Sequence, residues 1–121
     1  MAKQVFLSKD GKPVSIETER LRGERLGKST MSSGTIDFAS KASSGYRVTL
    51  TTTPRDLVRK DKLRQNIRKR SQEIVGILPI IFPATSTGLL VLEFESGEEG
   101  KIIDALAKAI QETKFSGFWI F

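Results

Sequence analysis

The residues best suited to chemistry in this sequence are the polar side chains at alternate positions between Tyr46 and Thr53. Arg47, Thr49 and Thr51 alternate with apolar residues, a pattern that predicts a β-strand with one polar face. Threonine hydroxyls can donate to phosphate oxygens and base edges, and arginine adds charge and a planar surface for stacking. The pattern indicates either a nucleic-acid-binding face or simply the solvated face of a strand.

Catalysis has few candidate groups in this chain. Histidine and cysteine are absent, which excludes disulfides, thiolate metal sites, and the nucleophile pairs that depend on histidine. The carboxylate pairs Glu93/Glu95 and Glu98/Glu99 have structural explanations on a strand and at a helix start. No glycine-rich phosphate loop occurs in the sequence. We therefore expect no enzymatic activity, no cofactor and no metal.

Positive charge is concentrated in one segment. The chain carries 20 Lys and Arg against 14 Asp and Glu, a net charge of +6. Residues 55–70 contain eight of these basic residues and two acidic ones, whereas residues 93–121 contain six acidic and three basic residues. Such a segment indicates either a polyanion partner or an ordinary solvated face.

The length of 121 residues allows one domain, over residues 1–121. Asp10-Gly11 lies between two β-prone runs and predicts an N-terminal hairpin over residues 1–18 with a type I′ turn. Pro13 has no backbone donor, so it is suited to the first position of the returning strand.

Further patterns predict the rest of an α+β fold. Short alternating runs indicate an antiparallel main sheet over residues 35–95, whose last strand is apolar on both faces and must therefore be covered on both sides or lie at an interface. Ser96 and Glu99 have the spacing of a capping box, and apolar residues then recur at helical spacing. We therefore expect a helix over residues 97–113.

The segment from Pro54 to Val75 is compatible with two structures. Pro54 at a first helical position, and Leu63 and Ile67 four residues apart, favour a helix. A strand would instead place Leu63, Ile67 and Val75 on one face and the basic residues on the other. Neither pattern is complete.

The chain has more apolar surface than a small fold hides. Residues 76–83 are apolar and contain two prolines, and residues 115–121 include four aromatic residues. No apolar run approaches the roughly 20 residues that span a bilayer, so we expect no membrane partner. We expect an obligate homodimer.

The order of these elements resembles the coat protein of small single-stranded RNA bacteriophages, the levivirus family. The resemblance covers essentially the whole chain. The hairpin is Lys3–Thr18, residues 46–51 resemble the RNA-facing strand, and residues 65–69 resemble the strand after it. Residues 75–85 are similar to the loop that surrounds symmetry axes, and residues 96–110 to the helix that clamps the partner subunit.

This resemblance implies an RNA-phage coat-like α+β fold whose sheet is completed in a dimer, with residues 62–75 forming a strand. It implies a capsid protein that assembles from dimers into an icosahedral shell and packages single-stranded RNA, including a genomic hairpin. The implied location is the virion, and the host bacterial cytoplasm during assembly. The implied RNA-binding residues are Arg47, Thr49, Thr51, Asn66, Arg68, Thr85 and Thr87. Arg64 and Arg70 join this set by alternation along the same strand. The implied dimer interface is Ile102, Ile103, Leu106 and Ile110. The implied assembly loop is Ile77, Leu78, Pro79, Ile80, Ile81 and Phe82.

Two other functions remain open from the sequence. One is a cellular RNA- or DNA-binding module, regulatory or ribosome-associated, which would stay monomeric or dimeric instead of forming shells. The other is a small histidine-free nuclease that uses Arg, Glu and Tyr46. RNA cleavage by the purified protein would reveal the latter.

Overall fold

The structure of the protein is a computed structural model that describes residues 2–22, 29–31 and 34–115. Within these ranges the side chains of Ala2, residues 29–31 and Asp56 are left out. The elements in chain order are β1 (Ala2–Leu7), β2 (Pro13–Arg22), β3 (Ser29–Met31), β4 (Gly34–Ile36), β5 (Ser44–Thr52), a 3₁₀ helix (Arg55–Arg59), α1 (Asp61–Arg70), β6 (Ile80–Ile81), β7 (Leu90–Phe94) and α2 (Glu99–Gln111). One π-helical turn, Ser71–Val75, continues α1.

The five strands β1, β2, β5, β7 and β6 form one antiparallel sheet in the order β1-β2-β5-β7-β6. Strands β3 and β4 pair separately. The α+β class and the antiparallel sheet are therefore confirmed. The N-terminal hairpin is also present, and it forms one end of the main sheet rather than a separate unit.

The turn of the first hairpin differs from the predicted type. Ser8 N donates to Lys12 O at 2.8 Å, and Gly11 has a φ of +82°. A type I′ turn requires positive φ at both central residues, but Asp10 does not have it. The predicted type I′ turn is therefore wrong. Strand β2 begins at Pro13, as expected for a residue without a backbone donor.

Each face of the sheet is covered by a different part of the chain. One face carries Val48, Leu50 and Leu92, which pack with residues of α1 and α2 in the larger core. The opposite face carries Leu89 and Val91, which form a smaller cluster with Ile36 and Phe82. All five residues of β7 are buried, so the prediction that this strand is covered on both sides is confirmed.

The segment 62–75 is helical, so the strand implied there by the resemblance is wrong. Leu63 and Ile67 are fully buried one helical turn apart, and Ser71 continues the same buried stripe. This stripe packs in the main core, where α1 lies against α2. The local four-residue spacing thus describes the segment correctly.

Helix α2 lies within the predicted range but begins without the predicted capping box. Its N-cap is Glu98, whose backbone N–H donates to Ser96 Oγ at 3.2 Å. Glu99 instead accepts a hydrogen bond from Thr18 Oγ1 at 2.6 Å, which ties the start of the helix to β2. The carboxylate therefore holds two elements together instead of closing its own helix end.

The predicted dimer-interface residues lie mostly inside the chain's own core. Ile102, Leu106 and Ile110 are fully buried against the same chain's sheet, and Ile103 is half-buried. The resemblance places this helix face on the partner's sheet, but a single chain already covers it. The correction follows from α2 folding back onto its own strands.

The predicted assembly loop contains an edge strand. Ile80 and Ile81 form β6 and pair with β7, and Phe82 is 7% exposed in the smaller cluster. Ile77 and Pro79 are half-buried, whereas Leu78 is 57% exposed. Of the aromatic C-terminal segment, Phe115 is buried in the main core, and residues 116–121 lie outside the described residues.

Candidate nucleic-acid interface

Arg47, a predicted RNA-binding residue, is buried in an ion pair. Its Nε donates to Glu93 Oε2 at 3.1 Å, and both side chains are 0% exposed. The two residues are direct partners in the β5–β7 pairing. A guanidinium that is fully enclosed is not available to phosphates, so its predicted role in RNA contact is corrected to a structural one.

This ion pair also organises the loop that follows β4. Glu93 Oε1 accepts hydrogen bonds from the backbone N–H groups of Lys41 and Ala42 at 2.7 and 2.8 Å. Arg47 Nη2 donates to the carbonyl oxygen of Phe38 at 3.0 Å. The buried pair therefore fixes the backbone of residues 38–42, which contains no regular secondary structure.

Two more predicted RNA-binding residues are buried. Thr49 is 1% exposed on β5, and Asn66 is 6% exposed on α1. The Asn66 Nδ2 donates to Thr113 Oγ1 at 2.9 Å, and Thr113 Oγ1 donates to Ala109 O at 2.6 Å. Asn66 thus joins α1 to the end of α2, and neither residue can contact RNA in this fold.

Arg70 is engaged by carboxylates. Its Nη2 lies 2.5 Å from Glu112 Oε2, and its Nη1 lies 2.7 Å from Glu73 Oε1. The hydrogen bonds to Glu112 and then to Glu73 raise the pKa of Arg70, and the hydrogen bond from Arg70 lowers the pKa of Glu112. These hydrogen bonds engage Nε, Nη1 and Nη2, so Arg70 is less available to RNA than an arginine without a carboxylate partner.

The remaining predicted residues are divided between two places. On α1, Arg68 is exposed, and Arg64 is half-buried with its Nη1 donating to Arg59 O at 2.8 Å. Thr51, Thr85 and Thr87 lie instead beside the 3₁₀ helix. Because residues 61–70 form a helix, the alternate positions 64, 66, 68 and 70 do not share one face as they would in a strand.

Arg55 connects the predicted threonines. It lines a hollow of about 290 Å³ together with Lys3, Thr51 and Thr53. Its Nη1 also donates to the carbonyl oxygen of Thr87 at 3.2 Å. The neighbouring Arg59 donates through Nη2 to the carbonyl oxygen of Thr85 at 3.1 Å, so both arginines are attached to the 85–87 turn.

A glycine allows this attachment. Gly88 has a φ of +82°, and a Cβ added to it would lie 2.4 Å from the Cβ of Arg55. The turn is closed by Gly88 N donating to Thr85 O at 3.0 Å and by Leu89 N donating to Thr85 Oγ1 at 2.9 Å. The close approach and the left-handed backbone both require glycine here.

Exposed basic side chains continue from this point along α1. We define the basic ridge as Arg55, Arg59, Lys62, Arg68 and Lys69, all of which are exposed. Among the side chains that the structure describes, none of the five forms a salt bridge. Each arginine keeps N–H donors beyond those used to hold the turn.

Sequence reasoning placed only Arg68 of this ridge among the binding residues. The other four were present in the basic segment, and the helical interpretation of 55–70 would have selected them. Turns of a helix present residues at intervals of three and four, so Lys62 and Lys69 lie on one side while Leu63 and Ile67 lie on the other. The strand interpretation selected every second residue instead.

Other kinds of site find little support in the part of the chain that the structure describes. Residues 2–22, 29–31 and 34–115 contain no group of carboxylates able to hold a metal ion. The helices within those ranges are also too short or too polar to cross a membrane. No protein-family model, curated protein or solved structure matches this chain.

Proposed function

We propose that the protein binds nucleic acid and that the phosphate backbone lies along the basic ridge. The single observation that supports this most directly is five exposed Lys and Arg side chains on consecutive helical segments, without salt bridges among the described side chains. Such a surface releases condensed counterions when phosphates bind, which provides affinity independent of sequence. The net charge of +6 adds long-range attraction to a polyanion.

The attachment of Arg55 and Arg59 to the 85–87 turn strengthens the proposal. Flexible surface arginines lose conformational entropy when they bind a phosphate. These two are already held by carbonyl oxygens at 3.2 and 3.1 Å. Arg55 and Arg59 therefore lose less conformational entropy on binding a phosphate than unattached arginines would.

The experiment is equilibrium binding of fluorescent RNA and DNA oligonucleotides across a salt series. The Arg55→Gln/Arg59→Gln variant should lose about tenfold or more in affinity near 0.1 M salt, and the slope of log affinity against log salt should fall by about two units. The matched control is Lys9→Gln/Lys114→Gln, which removes the same charge from exposed positions outside the ridge.

The control separates a defined site from general charge. Wild-type affinity and slope in the ridge variant, or an equal loss in both variants, would overturn the assignment of phosphate contacts to the ridge. Circular dichroism of each variant establishes that the fold is unchanged.

Capsid assembly from homodimers, with single-stranded RNA packaged in a virion, stays a second proposal. Its predicted assembly loop contains Leu78, an apolar side chain that is 57% exposed and so available for contact with another dimer. If the loop joins dimers, Leu78→Ser should leave dimers intact and abolish shells in light scattering and negative-stain microscopy. A wild-type protein that remains monomeric would refute both dimerisation and assembly.

A further inference from the structure

Beside the basic ridge, the structure contains a groove with an aromatic floor. The groove has a volume of about 510 Å³ and lies between residues 35–41 and residues 82–87. We define it as the aromatic groove. Its volume is within the range of small-molecule sites, and it shares the 85–87 turn with Arg55 and Arg59.

The floor of the aromatic groove is formed by Phe38 and Phe82. Their ring centroids are 4.6 Å apart, and the rings are tilted by 38°. Phe82 is 7% exposed, whereas Phe38 is half-buried and so exposes part of its ring. The Arg47 guanidinium lies over the Phe38 ring, so a planar group in the groove can stack on the part of that ring that stays exposed.

This floor is held in place before any ligand binds. Phe38 is fixed by the hydrogen bond from Arg47 to its carbonyl oxygen, and the Arg47 guanidinium lies 5.3 Å from the Phe38 ring centroid. The Lys41 ammonium lies 5.3 Å from the centroid of Phe82. Because the buried Arg47–Glu93 pair determines this loop, the groove does not need to form when a ligand arrives.

The polar groups that line the groove are better suited to a base than to a phosphate. Thr85 and Thr87 provide hydroxyls at one side, while Asp37 places a carboxylate in the lining. A carboxylate repels phosphate but accepts hydrogen bonds from the exocyclic amino groups of bases. Lys41 also lines the groove, with its ammonium over the Phe82 ring, but the larger set of exposed cations for phosphates is on the basic ridge.

We propose that the aromatic groove binds an unpaired nucleobase of a single-stranded nucleic acid whose phosphates lie on the basic ridge. This inference rests on the proposed nucleic-acid binding and adds a preference for single strands. Base–aromatic stacking accepts any base, whereas a base paired within a duplex presents no free face to a groove. The occupant is thus an unpaired nucleotide from RNA or DNA.

The test compares single-stranded and duplex 12-mers of the same sequence, as RNA and as DNA, with wild type and three variants. Phe38→Leu keeps an apolar side chain but removes the ring, and it should lower single-strand affinity about 5- to 100-fold. Duplex affinity and the salt slope should stay unchanged, because no charge is removed. The matched control is Phe6→Leu, a half-buried phenylalanine against the main core on the opposite face.

A conservative variant and the wild-type comparison keep the proposal testable even if Phe38→Leu fails to fold. Phe38→Tyr keeps the ring and should retain wild-type single-strand affinity. Wild-type protein that binds duplex as tightly as single strands would overturn the proposal without any variant. Unchanged affinity in a folded Phe38→Leu protein would also overturn it.

The outcomes for the two proposals are distinguishable. If Arg55→Gln/Arg59→Gln weakens binding but Phe38→Leu does not, the ridge stands and the groove proposal falls. If only Phe38→Leu weakens binding, the base site stands and the phosphate assignment to the ridge falls. Wild-type protein that binds neither strand type refutes both.

Discussion

Arg47 and Arg55 carry the same guanidinium but lie in opposite environments. Arg47 is 0% exposed and pairs with Glu93 across two neighbouring strands. Arg55 is exposed on the 3₁₀ helix and donates to a carbonyl oxygen of the 85–87 turn. The alternating pattern selected Arg47 for binding, whereas the structure leaves Arg55 accessible.

The difference between these arginines shows what decides the role of a basic residue. An enclosed guanidinium loses its hydration and requires a fixed partner, so it stabilises one arrangement of the surrounding chain. An exposed guanidinium keeps its hydration and remains able to exchange water for a phosphate. Proximity of a carboxylate in three dimensions, rather than residue type, separates the two cases.

The largest expected effect comes from breaking the buried pair. Arg47→Met leaves the Glu93 carboxylate buried without its charged partner, so the free energy of unfolding should fall by about 3–5 kcal/mol. Arg55→Met should change it by less than about 0.5 kcal/mol. Urea unfolding at pH 7 measures both values.

A double variant sharpens this result. Arg47→Met/Glu93→Gln removes the unpaired charge and keeps an acceptor for the N–H groups of Lys41 and Ala42. It should recover part of the stability lost in Arg47→Met. Equal losses in Arg47→Met and Arg55→Met would contradict the contrast between the two sites.

The position of Arg55 can be disturbed without changing either arginine. Gly88→Ala places a methyl group against the Arg55 Cβ at a φ of +82°, so we expect a loss of about 2–4 kcal/mol. Gly11→Ala is the matched control, because Gly11 has the same φ of +82° and no atom near the added Cβ. It should cost only about 1 kcal/mol and leave nucleic-acid binding unchanged. Thermal unfolding and oligonucleotide affinity of both variants provide the measurement, and identical behaviour would show that the contact is unimportant.

The same contrast between buried and exposed polar residues exists within α1. Asn66→Ala leaves the buried Thr113 hydroxyl without its donor, so stability should fall by about 1–3 kcal/mol. Gln65→Ala, at an exposed position beside it, should have almost no effect. Chemical denaturation checks both. If Asn66→Ala instead weakens RNA binding at unchanged stability, the original assignment of this residue to the interface is restored.

Arg70 is only partly exposed and pairs with carboxylates, so it is intermediate between the buried Arg47 and the exposed Arg55. The smallest expected effect is the pH dependence of stability that comes from this pairing. Because Arg70 lowers the pKa of Glu112, the ionised carboxylate stabilises the fold above the ordinary pKa of 4.5. This stabilisation is lost as the pH falls through the lowered pKa of Glu112. Glu112→Gln should therefore reduce stability at pH 7, and the difference from wild type should shrink as the pH falls below 4.5. A difference between wild type and variant that is constant across this range would exclude the ionic contribution.

Patterns within a short stretch of sequence predicted local structure well. The alternation in β5, the Asp10-Gly11 hairpin and the periodicity of α2 all correspond to observed elements. The spacing of Leu63 and Ile67 also favoured the observed helix. These features depend on neighbouring residues along one element, which the sequence displays directly.

The candidate site was harder to predict because it depends on contacts between distant segments. No local pattern shows that Glu93 reaches Arg47, or that Glu112 occupies Arg70. The polar face of β5 is strand-like in sequence, yet residues near Thr49 are enclosed by the fold. Charge concentration located the correct segment, but partners elsewhere in the chain decided which side chains stay accessible.

The strand order also determines how the chain folds. The neighbouring central strands β5 and β7 are separated by 37 residues, which include the 3₁₀ helix, α1 and β6. Bringing their ends together costs loop-closure entropy before any pairing is gained, whereas the helices can form from local contacts in microseconds. We therefore expect the pairing of β5 with β7 to be the slow event, and substitutions in β7 such as Leu92→Ala should then slow refolding in stopped-flow experiments. Until that closure occurs, residues 38–42 lack the buried Arg47–Glu93 pair that fixes them, so we expect the proposed binding surface to form only with the complete sheet.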